Sequence, residues 1–394
     1  LVKTAAKFIF NQSVAIKHRY LLDYLLNEPN VEVCSYINRN GTSIASNLPA
    51  PFMRLLRACR FLESKWVLKK NGLKGRVKVL KNVSEIRKDD IVMIYQLFAD
   101  KCPEMEHVDA FKVVSMIHFH GSQINSDIIK GCKPDVLISE SDLKKYSKIF
   151  QRYYSWYDKE ILVHPFVYEK RFQKLKSVSE RKNQVFSTGT ITYKKHPEFI
   201  SVYGNPCDQP MRKYVKEHQK ELTGMVDCYN SDYSENANKK MEATGRENKV
   251  VHLVKALYYK FFASQQKSYY SFNMVDKFNE YKMCFVGEEI LGVPGIGFVE
   301  GMACGCAYIG DECGYYEDYG MKERVHYIGY DGTPEDFKAK ISYYQQPEQQ
   351  IELERIAQNG YEYAIENFRG DIVAKNILEQ LISIKMRRNN FLDN

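Results

Sequence analysis

Residues 284–320, CFVGEEILGVPGIGFVEGMACGCAYIGDECGYYEDYG, constrain the fold more than any other stretch. A strand over 283–286 breaks into a glycine-rich loop at Gly287, Gly292, Gly295 and Gly297. A short helix over 298–305 and a second strand over 306–309 complete a βαβ unit. Open α/β sheets bind ligands at the carboxyl ends of their strands, where this loop falls. Backbone N–H groups at a helix start attract phosphate, and glycines let a ligand approach closely. Glu300 lies on the short helix, where a carboxylate can hold the hydroxyls of a ribose. The competing reading is a buried unit whose glycines only make turns.

The rest of the chain repeats this alternation. A strand is expected over 4–10, a helix over 14–26 and a strand over 31–37, a β-α-β opening without a GxGxxG fingerprint. Further strands are expected over 90–95, 112–118, 135–139 and 161–163, with a helix from Ser141. Strands separated by helical segments predict parallel, doubly wound sheets. The charged segment EKRFQKLKSVSERKN (169–183) reads as a linker, and QVFSTG (184–189) opens a new strand and turn. The expected division is 1–170, 184–370 and a closing helical segment, 371–394. In the second part helices are expected over 196–203, 211–222, 345–366 and 373–386, with a strand over 224–228.

Charge narrows the partners. The chain carries +8 overall, and ten of its cations fall between Arg54 and Lys81 with Glu63 the only acid among them. Phe52, Leu55, Leu56, Cys59, Leu62 and Trp66 recur there at helical spacing. This basic amphipathic segment, 52–81, is either a peripheral contact for an anionic membrane or the solvated face of a domain helix. No helix-turn-helix or RNP-type motif accompanies it, which argues against nucleic acid. No run approaches the length of a membrane span. Ten scattered cysteines without a CxxC pair fit reduced thiols and a cytoplasmic setting, possible at the inner membrane face. Cys304 and Cys306 read as small packing residues.

Six segments, in order, resemble the GT-B glycosyltransferases, most closely the large retaining family that includes many bacterial surface-glycan enzymes. VVSMIHFHG (113–121) is similar to a first-domain strand ending in a cleft histidine. DVLISESDLKKY (135–146) is similar to its strand–Ser–helix element. ILVHPFVYEKRF (161–172) looks like the segment closing the first domain, with Pro165-Phe166 at the usual Asn-Gly. VFSTGTITYKK (185–195) looks like the opening of the donor domain, with Lys195 at the phosphate lysine. FVEGMACG (298–305) resembles the nucleotide-binding helix, with Glu300 on the ribose, and the tail resembles a helix crossing back to the first domain. The resemblance implies an α/β, GT-B architecture of two Rossmann-like domains facing a cleft. It also implies a nucleotide-sugar donor, a lipid-linked or polymeric glycan acceptor and no required metal. No DxD set is present to hold one.

Two departures bear on the donor. The family places an arginine after the donor-domain glycine, where this chain has Thr190. It places a glutamate eight residues before Glu300, where this chain has Gly292; Glu288 and Glu289 are out of register. A phosphate site short of a cation suits a donor with one phosphate, and within the superfamily the chain looks most like the β-Kdo transferase modules of O-antigen and capsule assembly, which use CMP-β-Kdo. The alternatives are a UDP-, GDP- or dTDP-hexose donor and a non-catalytic glycan-binding module.

The implied donor site comprises Glu300, Lys195, Gly189, Thr190, His164, Gly295, Gly297 and Phe298, with Ser187, Thr188 and Lys194 as further donors. Asp232, or else Asp227, is the candidate carboxylate nucleophile of a double displacement. His118 and His120 are candidate acceptor or donor contacts. Glu140 and Asp142 are further acid/base candidates.

Overall fold

The computed structural model describes residues 10, 16–36, 61–62, 64–96, 99, 103–117, 119, 121–232 and 272–392. The strand expected over 4–10, the apolar residues 52–59, and His118 and His120 therefore fall outside the described residues or at their edge.

The first domain runs α1 (Ile16–Leu25), β1 (Cys34–Tyr36), β2 (Lys78–Leu80), β3 (Ile91–Tyr95), β4 (Phe111–Ser115), α2 (Gln123–Gly131), β5 (Val136–Ser139), α3 (Leu143–Tyr146), α4 (Lys148–Tyr153) and β6 (Ile161–Val163). Strands β3-β4-β5-β6 form one parallel sheet in that order, and β1-β2 a separate parallel pair. β4 and β5 are buried along their whole length, as parallel strands covered on both faces must be. The helix expected from Ser141 is two short ones, because Asp142 and Ser147 each cap a new start: their side chains accept from Lys144 N and Phe150 N.

The second domain runs β7 (Lys182–Ile191), α5 (Pro197–Tyr203), α6 (Pro210–Glu217), β8 (Val226–Asp232), α7 (Met274–Glu280), β9 (Tyr281–Phe285), α8 (Gly297–Ala303), β10 (Ala307–Asp311), α9 (Tyr315–Asp318), β11 (Ile328–Tyr330), α10 (Pro334–Gln345), α11 (Gln350–Asn367) and α12 (Gly370–Leu392). Its sheet has the order β11-β10-β9-β7-β8, all parallel. The chain moves from β7 to one side and returns to the other, so the topological switch point lies between β7 and β9. β8 extends to Asp232, beyond the expected strand end, because it pairs β7 from Val185 to Ile191. The helix expected over 345–366 starts at Gln350, since Pro347 opens a separate turn after α10.

The last helix crosses back. Val373, Ala374, Ile377 and Leu381 form one buried stripe against Tyr20 and Leu21 of α1 and against Phe111, Val113, Val136 and Ile138 of the first sheet. Burial of Val373, Ile377 and Leu381 contributes about 2 kcal/mol each. A single apolar cluster also runs from Val114 and Leu137 in the first domain to Phe186 and Phe298 in the second. Two Rossmann-like domains, a cleft between them and a returning helix make up the expected GT-B architecture.

Candidate functional site

The two glycine turns of the second domain meet at the switch point, and a residue from a helix joins them. Arg212 of α6, buried to 6% exposure, donates from Nη1 to the Thr190 carbonyl (2.8 Å), from Nη2 to that of Gly287 (2.9 Å) and from Nε to that of Val286. Its slot exists because glycines line it. A Cβ at Gly189 would lie 2.9 Å from Arg212 Nε, and one at Gly295 2.6 Å from Nη2. The side chain at residue 190 carries no cation, and the guanidinium beside its carbonyl comes from twenty-two residues later in sequence, on the helix packed beside the turn.

A second cation comes from across the cleft. Lys17, in the first turn of α1, lies within electrostatic reach of Glu140, Glu289 and Glu300. Burial lowers its pKa, and those three carboxylates oppose the shift while Arg212 adds to it. Neither Lys17 nor Arg212 stands out in the sequence. Each occupies the first turn of its helix.

The carboxylates around this pair are perturbed. Glu300, half-buried on α8, has its pKa pushed up to about 7, mainly by desolvation, with Arg171 and Lys17 opposing and Glu169 reinforcing. It keeps part of its surface, yet burial governs its charge. Glu140, at the end of β5 and 2% exposed, is likewise raised to about 7 by burial. Its Oε1 has no hydrogen-bond partner among the described residues. Glu289 is raised by burial and by Asp208, against Arg212, Lys194 and Lys17. Asp208 is ion-paired to Lys194 at 3.0 Å, and its other carboxylate oxygen is also unpartnered among the described residues. These two oxygens, and Asp232 Oδ1 at the end of β8, are buried acceptors without partners among the described residues, and are places for ligand hydroxyls or water.

Gly292 has a definite role. It adopts φ +86° and closes a tight turn, its N–H donating to the Glu289 carbonyl at 2.9 Å. A Cβ there would stand 2.7 Å from the Tyr146 carbonyl group, and Ser141 Oγ donates to the Gly292 carbonyl at 2.5 Å. The glutamate of the resembled family is absent because this backbone packs directly on the first domain. Nearby, Tyr146 donates to Asp318 at 2.9 Å, Lys145 reaches the same carboxylate at 3.2 Å, and Tyr319 donates to the Glu140 carbonyl. These contacts hold the domains together over the cleft.

The remaining predicted residues divide. Gly189 and Thr190 end β7 at the switch point, and Gly295 and Gly297 lie in the loop beside it. Phe298 does not face a ligand: it is fully buried among Tyr308, Tyr316, Tyr319 and Phe368, and its N–H is taken by the Gly295 carbonyl. Asp227 is not in the cleft. It opens β8 beside Tyr281 (2.6 Å) and Lys182 (3.6 Å), at the strand starts, five residues, or roughly 16 Å, from Asp232. Asp232 ends β8 on the cleft side, ion-paired to Lys216 at 2.7 Å. Lys195 is exposed, and it is Lys194 that turns inward to Asp208. His164 is buried, with Nδ1 against Tyr20 Oη (3.3 Å) and the Pro165 carbonyl (3.1 Å); burial lowers its pKa to about 4, so it is neutral at pH 7 and adds no cation. Asp142 is a helix cap also reached by Lys145. Ser187 and Thr188 are buried within β7, and Asn230 donates to Ser187 Oγ. Cys304 and Cys306 are buried and unbridged, as packing residues are.

A separate cavity of about 600 Å³, lined by Lys112, Asp135, Trp156 and Arg388, opens at the amino ends of β4 to β6, away from the cleft. The cleft fits the switch-point rule better than this groove does.

No protein-family profile and no curated protein matches the chain. Solved structures do. Anabaena HepE, solved in complex with UDP, is 13% identical over 82% of this chain and 89% of its own, with a TM-score of 0.45. Sucrose-phosphate synthase from Thermosynechococcus elongatus is 10% identical over 98% of both chains, with a TM-score of 0.48. A glycosyltransferase from Rickettsia africae is 14% identical over 86% and 83%, with a TM-score of 0.45. At these identities and TM-scores the likeness carries no argument about activity.

Proposed function

We propose that the protein is a retaining glycosyltransferase that moves a hexosyl group from a nucleoside-diphosphate sugar, UDP-hexose foremost, to a polymeric or lipid-linked surface glycan, without a metal. The observation that carries this reading is the cation set at the switch point. Arg212, Lys17 and Lys194 all act on Glu289 in the loop beside the switch point, and Arg212 also donates to the carbonyl of Thr190, which had suggested a deficit. That deficit, together with Gly292 at the family's glutamate, was the reason to favour CMP-β-Kdo, a donor with one phosphate, and cations from both domains suit two phosphates.

In this scheme ionised Glu300 accepts hydrogen bonds from the ribose hydroxyls. Lys17 and Arg212 offset the charge that grows on the departing diphosphate as the bond from the anomeric carbon to phosphate oxygen breaks. Glu140 faces them from the first domain. A carboxyl with a pKa near 7 is suited to take the acceptor hydroxyl's proton as the new glycosidic bond forms. Asp208 and Glu289 are positioned to hold sugar hydroxyls.

The test is a panel of UDP, GDP, dTDP and CMP, read as thermal stabilisation of the whole protein. The expected result is stabilisation by UDP above the others. Stabilisation by CMP alone would return the CMP-β-Kdo donor. Stabilisation by none would remove the transferase reading in favour of a glycan-binding module.

A further inference from the structure

We propose that the first domain docks on anionic lipid bilayers through the outer face of the helical residues 61–62 and 64–70. This goes beyond the transferase reading and does not depend on it. The stretch has two apolar faces. Val67 and Leu68 point inward, with Phe10, Leu22, Leu73 and Val77, and form a small core of their own. Leu62 and Trp66, one turn apart, point outward and are 64% and 52% exposed. An inward stripe accounts for the fold, whereas an exposed leucine and tryptophan on the same face contribute nothing to it.

The surroundings of that face identify what covers it. Lys65, Lys69 and Lys70 share it, and Lys74, Arg76, Lys78 and Lys81 follow on the adjoining turn and strand, all exposed. Lys70 Nζ lies 5.4 Å from the Trp66 ring, and Lys65 Nζ 4.5 Å from that of Phe61. A protein partner of ordinary composition has no reason to meet three exposed lysines around two apolar anchors. An anionic bilayer does: tryptophan and leucine enter the headgroup boundary while lysines stay at the phosphate level. No described helix is long and apolar enough to cross a membrane, so the contact is peripheral. Arg76 ties the segment to the end of α1 through the Leu26 carbonyl and Asn27, and the opposite end of α1 carries Lys17 into the cleft. A docked domain thus keeps a fixed orientation of its cleft to the lipid surface.

The chain has two tryptophans, so Trp156→Phe leaves Trp66 as the sole tryptophan emitter, read by excitation beyond the tyrosine band. Mixed with vesicles of phosphatidylglycerol and phosphatidylcholine, this variant is expected to float with the vesicles and shift its emission to the blue. Pure phosphatidylcholine is expected to do neither. Flotation of the otherwise unaltered protein gives the same reading independently of that substitution. Trp66→Ala and Lys65→Gln/Lys69→Gln/Lys70→Gln are expected to retain the melting temperature. The lysine variant is expected to bind about 100-fold more weakly, at about five-fold per lysine. Flotation unaffected by Trp66→Ala, or absent at every vesicle charge, overturns the proposal. So does Trp66 emission that shifts with a soluble polyanion such as RNA but not with vesicles.

Discussion

Glu140→Gln isolates the cost of the buried carboxyl that faces the cleft. Its pKa stands at about 7 against an ordinary 4.5, because burial desolvates the ionised form and Lys17 compensates only in part. The sign follows from linkage. A group whose pKa is raised by folding binds its proton more tightly in the folded state. Its favourable contribution is complete below pH 4.5 and is lost as pH rises through about 7. At 1.36 kcal/mol per pH unit, Glu140 alone lowers stability by about 3 kcal/mol between pH 4.5 and pH 8, a factor of roughly 100 in the unfolding equilibrium. Glutamine has the shape of the protonated acid and no charge to desolvate. The variant is therefore expected to match the natural protein near pH 4.5 and to exceed it by about 3 kcal/mol at pH 8. Urea unfolding at several pH values reads this directly. Glu300 and Asp311, also raised to about 7, leave the variant with a residual slope of the same sign. If Glu140→Gln were less stable at pH 8, or shifted equally at both pH values, the carboxyl would not be buried and desolvated as described.

Three further outcomes follow. Arg212→Met strips a charged donor from three carbonyls and is expected to cost on the order of 4 kcal/mol and most of the UDP affinity, seen by urea unfolding and calorimetry. Gly292→Ala places a methyl group 2.7 Å from the Tyr146 carbonyl group at φ +86°. It is expected to loosen the domain contact and destabilise by about 2 kcal/mol or more, seen as faster proteolysis between the domains and a larger radius of gyration. Asp227→Asn is expected to leave nucleotide affinity unchanged, because that residue opens β8 at the far end of the sheet; a large loss of UDP binding would contradict that placement.

Much of the architecture was legible because strand and helix periods are local. The βαβ unit around Gly287–Gly297, the strands β3 to β6 and the returning helix all appear where the apolar pattern placed them. The place of Glu300 on α8 was legible for the same reason, since the helix follows the glycine loop after β9. The cations were not. Arg212 reaches the switch point only because α6 folds alongside β7, and Lys17 only because the domains face each other. Thr190 therefore reads as a missing charge in the sequence, whereas in the fold the Arg212 guanidinium donates to its carbonyl. Gly292 read as a lost carboxylate, but its backbone packs on Tyr146. Asp227 and Phe298 show the converse error. Each lies near a motif in sequence, but the direction of β8 carries Asp227 away from the cleft, and the inward face of α8 buries Phe298 in aromatic rings.

On the proposed function the cleft recognises a diphosphate through cations from both domains. Calorimetric titration of UDP and UMP into the natural protein and into Lys17→Met decides this. UDP is expected to bind the natural protein at least about ten-fold more tightly than UMP, and Lys17→Met to lose most of that difference while keeping its affinity for UMP. Equal affinities for UDP and UMP in the natural protein, or CMP binding more tightly than UDP, would contradict it.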